Sequence, residues 1–247
     1  MRSANRGGWV GGLAWGAAAG SLVAGCAGGG TTRNGATHVR EAARDDAQTP
    51  SPETGWARLA ADSGLDGWIK RGGEAVYRNE GGVIVGETRP NTDNTFLCTA
   101  RDYADFELEF EVLVDAGLNS GVQIRSLSLP DYHNGRVFGY QVEIDPTDRA
   151  YSGGIYDEAA RGWLAKPGDA LIANPPFRPG EWNRYRIEAV GARFTTWING
   201  VKVVELDDPL TPRGFIGLQV HSVGDRADPL RVRWRDIRIR EVDAGSR

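Results

Sequence analysis

From residue 106 to 114 the chain reads FELEFEVLV, with Phe106, Leu108, Phe110 and Val112 on one side and Glu107, Glu109 and Glu111 on the other. A strand sends successive side chains to opposite faces, so this pattern predicts a strand with one covered face. GVQIRS has the same period, with Val122 and Ile124 opposing Gln123 and Arg125. So has GYQVEID, where Tyr140, Val142 and Ile144 oppose Gln141, Glu143 and Asp145. In GFIGLQVHS, Ile216, Leu218 and Val220 point one way, and Phe215, Gly217, Gln219 and His221 the other. Shorter runs predict strands over residues 75–77, 83–86, 95–99, 182–189, 193–198 and 201–206. Residues 190–192 and Asn199-Gly200 mark two hairpin turns, the second by its residue types alone. A last strand over 231–242 loses alternation at Arg235-Asp236, where a bulge is expected.

Roughly a dozen short strands separated by turn residues, with no long amphipathic helix, predict an all-β fold. The expected architecture is a two-sheet antiparallel sandwich of jelly-roll type. No segment repeats another at a fixed period, which argues against a propeller or solenoid. The 34 glycines and 12 prolines fit many turns. The AKPGDALIANPPFRPGEW connection reads as a rim loop. Trp182, Trp197 and Trp234 fall in strand patterns and are expected in the core. Trp163, in a glycine-flanked loop, is the best stacking candidate for a ligand. The Glu107, Glu109 and Glu111 stripe is expected to be a solvated outer face.

The first residues do not belong to the fold. Arg2 and Arg6 precede an apolar Ala/Gly-rich run that is too short to be read as a membrane span. It ends in Leu22-Val23-Ala24-Gly25-Cys26, a bacterial lipobox pattern with small residues before the cysteine. The expectation is a lipoprotein signal peptide over residues 1–25 and acylated Cys26 followed by a flexible tether to residue 54. The folded domain would span 55–243. Acylation would anchor the exported protein to a cell-envelope membrane, in the periplasm or at the cell surface. With Cys26 lipidated, Cys98 is a lone thiol, and its place in FLCTA reads as a buried small hydrophobe. The net charge of −4 gives no nucleic-acid signature. No His/Cys ligand spacing or calcium loop appears, and no phosphate loop. No cofactor is expected, although a structural calcium in a loop is compatible with a sandwich.

The polar faces carry the candidate chemistry. Two amides, a guanidinium and two carboxylates alternate along residues 119–145, where a merely solvated face would hold Lys, Thr and Ser. Glu143 and His221 are the candidate bases, with Arg125 as a cation to clamp developing negative charge. Gln123, Gln141 and Gln219 would bond a polar ligand. SGGIYDEAARGW would form a mobile loop presenting Tyr156, Asp157, Glu158, Arg161 and Trp163. Plain structural readings compete: Glu143 as the ion-pair partner of Arg125, Asp157 and Glu158 as turn caps, and His133 as a loop-tip residue.

LDGW (65–68), DFEL (105–108), NSGVQIRS (119–126) and GYQVEI (139–144) form a series with SGGIYDEAARGW (152–163), EWNRYRI (181–187), ING (198–200), GFIGLQVHS (214–222) and the terminal WRDIRIREV. Together they resemble the bacterial 3-keto-disaccharide hydrolase domain family over about residues 55–242. Two places depart from its usual pattern, LAADSG before LDGW and Val220 where an acidic residue commonly follows GLQ. The resemblance implies a concanavalin A-like lectin/glucanase sandwich. It also implies a 3-keto-glucoside 1,2-lyase and 2-hydroxy-glucal hydratase whose net reaction is hydrolysis. In that chemistry Glu143 or His221 removes the C2 proton and Arg125 holds the enolate. A sugar 3-dehydrogenase would have to supply the keto substrate. The alternative is a lipid-anchored carbohydrate-binding module without catalysis.

Overall fold

The computed structural model describes residues 55–242. The expected signal peptide, Cys26 and tether lie outside the described residues. The strands in chain order are β1 (Ala57–Arg58), β2 (Trp68–Gly72), β3 (Val76–Glu80), β4 (Val83–Glu87), β5 (Thr95–Thr99), β6 (Phe106–Val114), β7 (Ser120–Ser128) and β8 (Val137–Ile144). They continue with β9 (Ile155–Glu158), β10 (Gly162–Ala165), β11 (Asn183–Val190), β12 (Arg193–Ile198), β13 (Val201–Asp207), β14 (Phe215–Val220) and β15 (Arg231–Glu241). One five-residue helix, α1 (Asp169–Ala173), lies in the expected rim loop.

The strands form two antiparallel sheets, as the alternation predicted. One runs β13-β12-β11-β6-β15-β4-β3, with β1 added beside β15; the other runs β10-β9-β8-β7-β14-β5-β2. Between them lie the apolar sides of the alternating strands. Leu108, Phe110, Val112, Tyr185, Ile187 and Trp234 come from the first sheet, and Val122, Tyr140, Val142, Ile144, Ile216 and Leu218 from the second, all buried. Burying such side chains contributes about 1.5–3 kcal/mol each, which is what holds the layers face to face. Val220 also points into this core. Its departure from the family pattern therefore leaves the outer face untouched.

The turn chemistry behaves as read. Asn199 and Gly200 adopt φ of 50° and 84° between Ile198 and Val201, the left-handed pair a two-residue hairpin turn needs. In β15 the register slips between Arg235 and Arg238, with Asp236 at φ 52°, so the bulge is present.

Three expectations are corrected. The SGGIYDEAARGW segment is no loop: β9 and β10 pair as a hairpin that ends the seven-stranded sheet. The acidic stripe is covered, not solvated. Glu107 and Glu109 are buried beneath arginines that β6's neighbours supply at matching register, Arg184 and Arg186 from β11 and Arg238 and Arg240 from β15. Trp182 and Trp197 are not core. Arg235 lies over the Trp182 ring at 4.1 Å and Arg186 over Trp197 at 4.7 Å, on that outer ladder. Planar guanidinium groups stack on indole faces, so these rings cover arginines instead of filling the interior. Trp234 alone of the three is fully buried.

Candidate functional site

Directly opposed residues of antiparallel strands share a face. The registers Gln219↔Gly121↔Glu143 and Gly217↔Gln123↔Gln141↔Tyr156↔Trp163 therefore run across the outward face of the seven-stranded sheet. Phe96 pairs with Gln219 on the other side, and Arg71 of the edge strand β2 ends that row. At Gly121 this row is glycine for a reason. A Cβ there would lie 2.5 Å from Gln141 Cδ, so the missing side chain is the space in which Gln141 lies.

A hydrogen-bonded chain is built into that space. Ser126 Oγ donates to Gln123 Oε1 (2.7 Å), Gln123 Nε2 to Gln141 Oε1 (2.7 Å), and Gln141 Nε2 to Glu143 Oε2 (2.9 Å). Glu143 Oε1 also accepts from Asn119 Nδ2 (2.7 Å) and Arg149 Nη2 (3.0 Å). Arg149 is held in turn by Asp145 Oδ2 at 2.7 Å. Burial pushes the Glu143 carboxyl above its ordinary range, against the pull of Asn119, Gln141 and Arg149. The carboxylate is thus fixed in orientation and costly to keep charged.

Around it opens a cleft of about 450 Å³, lined by Gln141, Glu143, Tyr156, Glu158, Trp163 and His221 together with Asn94, Asn119, Arg136 and Arg149. His221 is half-buried just past the end of β14. Its Nδ1 lies 2.8 Å from the Ser222 carbonyl oxygen, which can only accept, so in the neutral ring Nδ1 carries the proton. Nε2 is left with its lone pair. At the other end Trp163 meets Tyr156 and Tyr151 edge-on, with centroids 5.2 and 5.1 Å away. Arg149 and Lys166 lie over its ring at 5.8 and 5.6 Å.

The structure therefore brings together Glu143, His221, Gln141, Tyr156, Glu158 and Trp163, with Gln123 one layer below them. Three expected residues are elsewhere. Arg125 has φ 47°, and the β7–β8 register slips between Gln123 and Leu127. This bulge takes Arg125 off the Gln123 face. Its guanidinium, 1% exposed, donates to the Ala104 carbonyl (2.6 Å), the Gly191 carbonyl (2.7 Å) and Asp105 Oδ1 (2.8 Å), and lies over Phe194. It ties β7 to the opposite sheet, and the Glu143–Arg125 pair does not form. Asp157, opposite Tyr140, has the wrong parity for the cleft. It pairs with Arg161, which also donates to Asp208 Oδ2 at 2.7 Å, fastening the β9–β10 turn to the end of β13.

Gln219 is on the right face but fully buried, and neither amide atom has a hydrogen-bond partner. Cys98 is buried as expected, and burial raises its thiol to about 12. Sequence reasoning missed Asn94, Asn119, Arg136 and Arg149. Asn119 opens NSGVQIRS and Arg136 precedes GYQVEI, but residues outside the strands carry no periodicity to mark their direction. Among the described residues no group of three or more His, Cys, Asp or Glu side chains could hold a metal ion.

The profile of the 3-keto-alpha-glucoside-1,2-lyase-like domain family matches residues 55–240. The chain belongs to this family. A comparison with curated proteins finds none that matches. Solved structures share the fold. A candidate glycosyl hydrolase from Parabacteroides distasonis ATCC 8503 is 17% identical, with a TM-score of 0.57 over 79% of this chain and 99% of that one. A protein of unknown function with a galectin-like fold from Bacillus subtilis gives 0.56 at 12% identity, over 72% and 90%. The carbohydrate-binding module CBM66 from Bacillus subtilis gives 0.50 at 17%, over 71% and 96%. The sandwich is therefore of jelly-roll type. The family supports a carbohydrate-related function.

Proposed function

We propose that this domain cleaves 3-keto glycosides by removing the C2 proton and eliminating the C1 substituent. The observation that carries this reading is that His221 and Glu143 line one cleft, inside a family of 3-keto-glucoside 1,2-lyase-like domains. A ketone at C3 acidifies the C2 hydrogen, so the site needs one base and a cation for the enolate, not two carboxylates astride the bond. His221 takes the C2 proton on Nε2, and the electron pair moves onto the C3 oxygen. As C3=O re-forms, C1=C2 forms and the C1–O bond breaks; the leaving oxygen receives the proton from His221. Neutral His221 then accepts a proton from water as the hydroxyl adds to C1, and returns it to C2. Atoms balance as hydrolysis.

Glu143 is the second choice for the base, because three donors already occupy its oxygens. It positions the substrate's hydroxyls and Arg149. Arg149 replaces Arg125 as the cation for the enolate. Trp163 borders the place of the sugar ring, with Arg149 over its indole. A sugar 3-dehydrogenase supplies the keto substrate, and the N-terminal lipid keeps the domain at a membrane of the cell envelope.

The test is release of the leaving sugar from a 3-keto disaccharide. His221→Ala should lower kcat about 10²–10⁴-fold, the usual contribution of a general base, and Glu143→Gln should lower kcat/KM as well. Saturable sugar binding with no product from the unaltered protein would replace this reading with that of a binding module, as in the CBM66 fold relative.

A further inference from the structure

His221 lines more than the Glu143 cleft. It also lines a second cavity of about 720 Å³, which shares Asn94 and Arg136 with the Glu143 cleft. Both volumes fall within the roughly 300–1,000 Å³ of small-molecule sites. The two lobes differ in build. The Glu143 lobe holds buried polar groups locked in a hydrogen-bonded chain. The second lobe has Phe96 and Val137 at its base and the turn His133-Asn134-Gly135 as its rim. All three turn residues are left-handed, with φ of 43°, 57° and 83°, and His133 and Asn134 are exposed. Tyr132 anchors the turn, its ring 4.0 Å from Phe138 and its hydroxyl donating to the Ala159 carbonyl at 2.7 Å. Arg136 closes it through Glu158 at 3.3 Å.

We infer that the second lobe is the leaving-group site, that it accepts a second sugar ring, and that His133 selects for it. This rests on the reaction proposed above. The C2–H and C1–O bonds are neighbours, so a base at the junction of two lobes puts the keto sugar on one side and the leaving group on the other. The keto sugar needs fixed donors and acceptors, and the Glu143 lobe has them. The second lobe offers an apolar base for the C–H face of a ring and an exposed polar rim for its hydroxyls. His133 is a specificity residue on that rim, outside the reacting atoms.

The experiment compares a 3-keto disaccharide with the methyl 3-keto glucoside, in the unaltered protein and in His133→Gly and His133→Trp. Glycine accepts φ 43° without strain, so the first variant removes only the side chain. Both variants should lower kcat/KM for the disaccharide about tenfold, the scale of one pocket contact, and leave the methyl glycoside within about twofold. Equal effects on the two substrates, or none on either, would overturn the assignment. If the unaltered protein cleaves neither, the proposed reaction fails, and calorimetry with both compounds still decides the lobe. Weaker disaccharide binding alone in His133→Gly supports it, and unchanged or equally weakened binding of the two overturns it.

Discussion

A single dihedral angle decides what Arg125 does. At φ 47° it leaves the row that contains Gln123 and joins Asp105 and two carbonyls at the far side of the sandwich. Removing one member of a buried charged cluster leaves the others unpaired and costs about 3 kcal/mol. Arg125→Met should therefore lower the thermal midpoint, while the activity of the protein that remains folded stays near normal. Loss of activity without loss of stability would return Arg125 to the site. Strict alternation put Arg125 beside Gln123 because nothing in GVQIRS marks a bulge. The evidence for it comes from outside β7: a Cβ at Gly214, just before β14, would lie 2.5 Å from the Arg125 carbonyl carbon. Asp157 is a different case. Its parity against Tyr156 and Glu158 is legible, but the surrounding glycines predict a loop, where parity means nothing.

At the scale of elements the site depends on strands β7, β8, β9, β10 and β14 lying in register. The alternation of β7, β8 and β14 is readable, and it puts Gln141, Glu143 and His221 on polar strand faces; Tyr156 joins them from a segment whose residue types predict a loop. What periodicity could not show is which residue must be small so that another can lie over it. Gly121 is that residue. In Gly121→Ala the new methyl meets Gln141, whose own amide orients Glu143. Overpacking of this kind costs about 1–3 kcal/mol. Activity should fall further than the stability loss explains, and a Glu143→Gln, Gly121→Ala double variant should be less than additive. Full additivity would separate the two residues.

The whole molecule presents two outer faces of opposite character. The seven-stranded sheet carries the cleft, where burial makes a carboxylate costly. The eight-stranded sheet carries a ladder in which arginines make one favourable. Burial pushes Glu109 up, but the guanidinium groups of Arg238 and Arg184 outweigh it and hold the carboxyl below its ordinary range. A lowered folded value adds stability above the unfolded value near 4.3 and loses it as the pH falls through the folded one. Glu109→Gln should therefore melt earlier than the unaltered protein at neutral pH, by roughly 1 kcal/mol of stability, with the gap closing in acid. A pH-independent gap would mean that packing, not charge, is lost. The acidic stripe was legible in the sequence but its cover was not, because the arginines come from β11 and β15, far along the chain.

The central claim is that bond cleavage begins at C2. The most direct measurement is the rate of leaving-sugar release from a 3-keto disaccharide carrying deuterium at C2, compared with the protiated substrate. Proton abstraction by His221 predicts a primary isotope effect on kcat/KM that disappears into residual background in His221→Ala. Equal rates for the two substrates, with the unaltered protein active, would contradict it and point to direct displacement at C1.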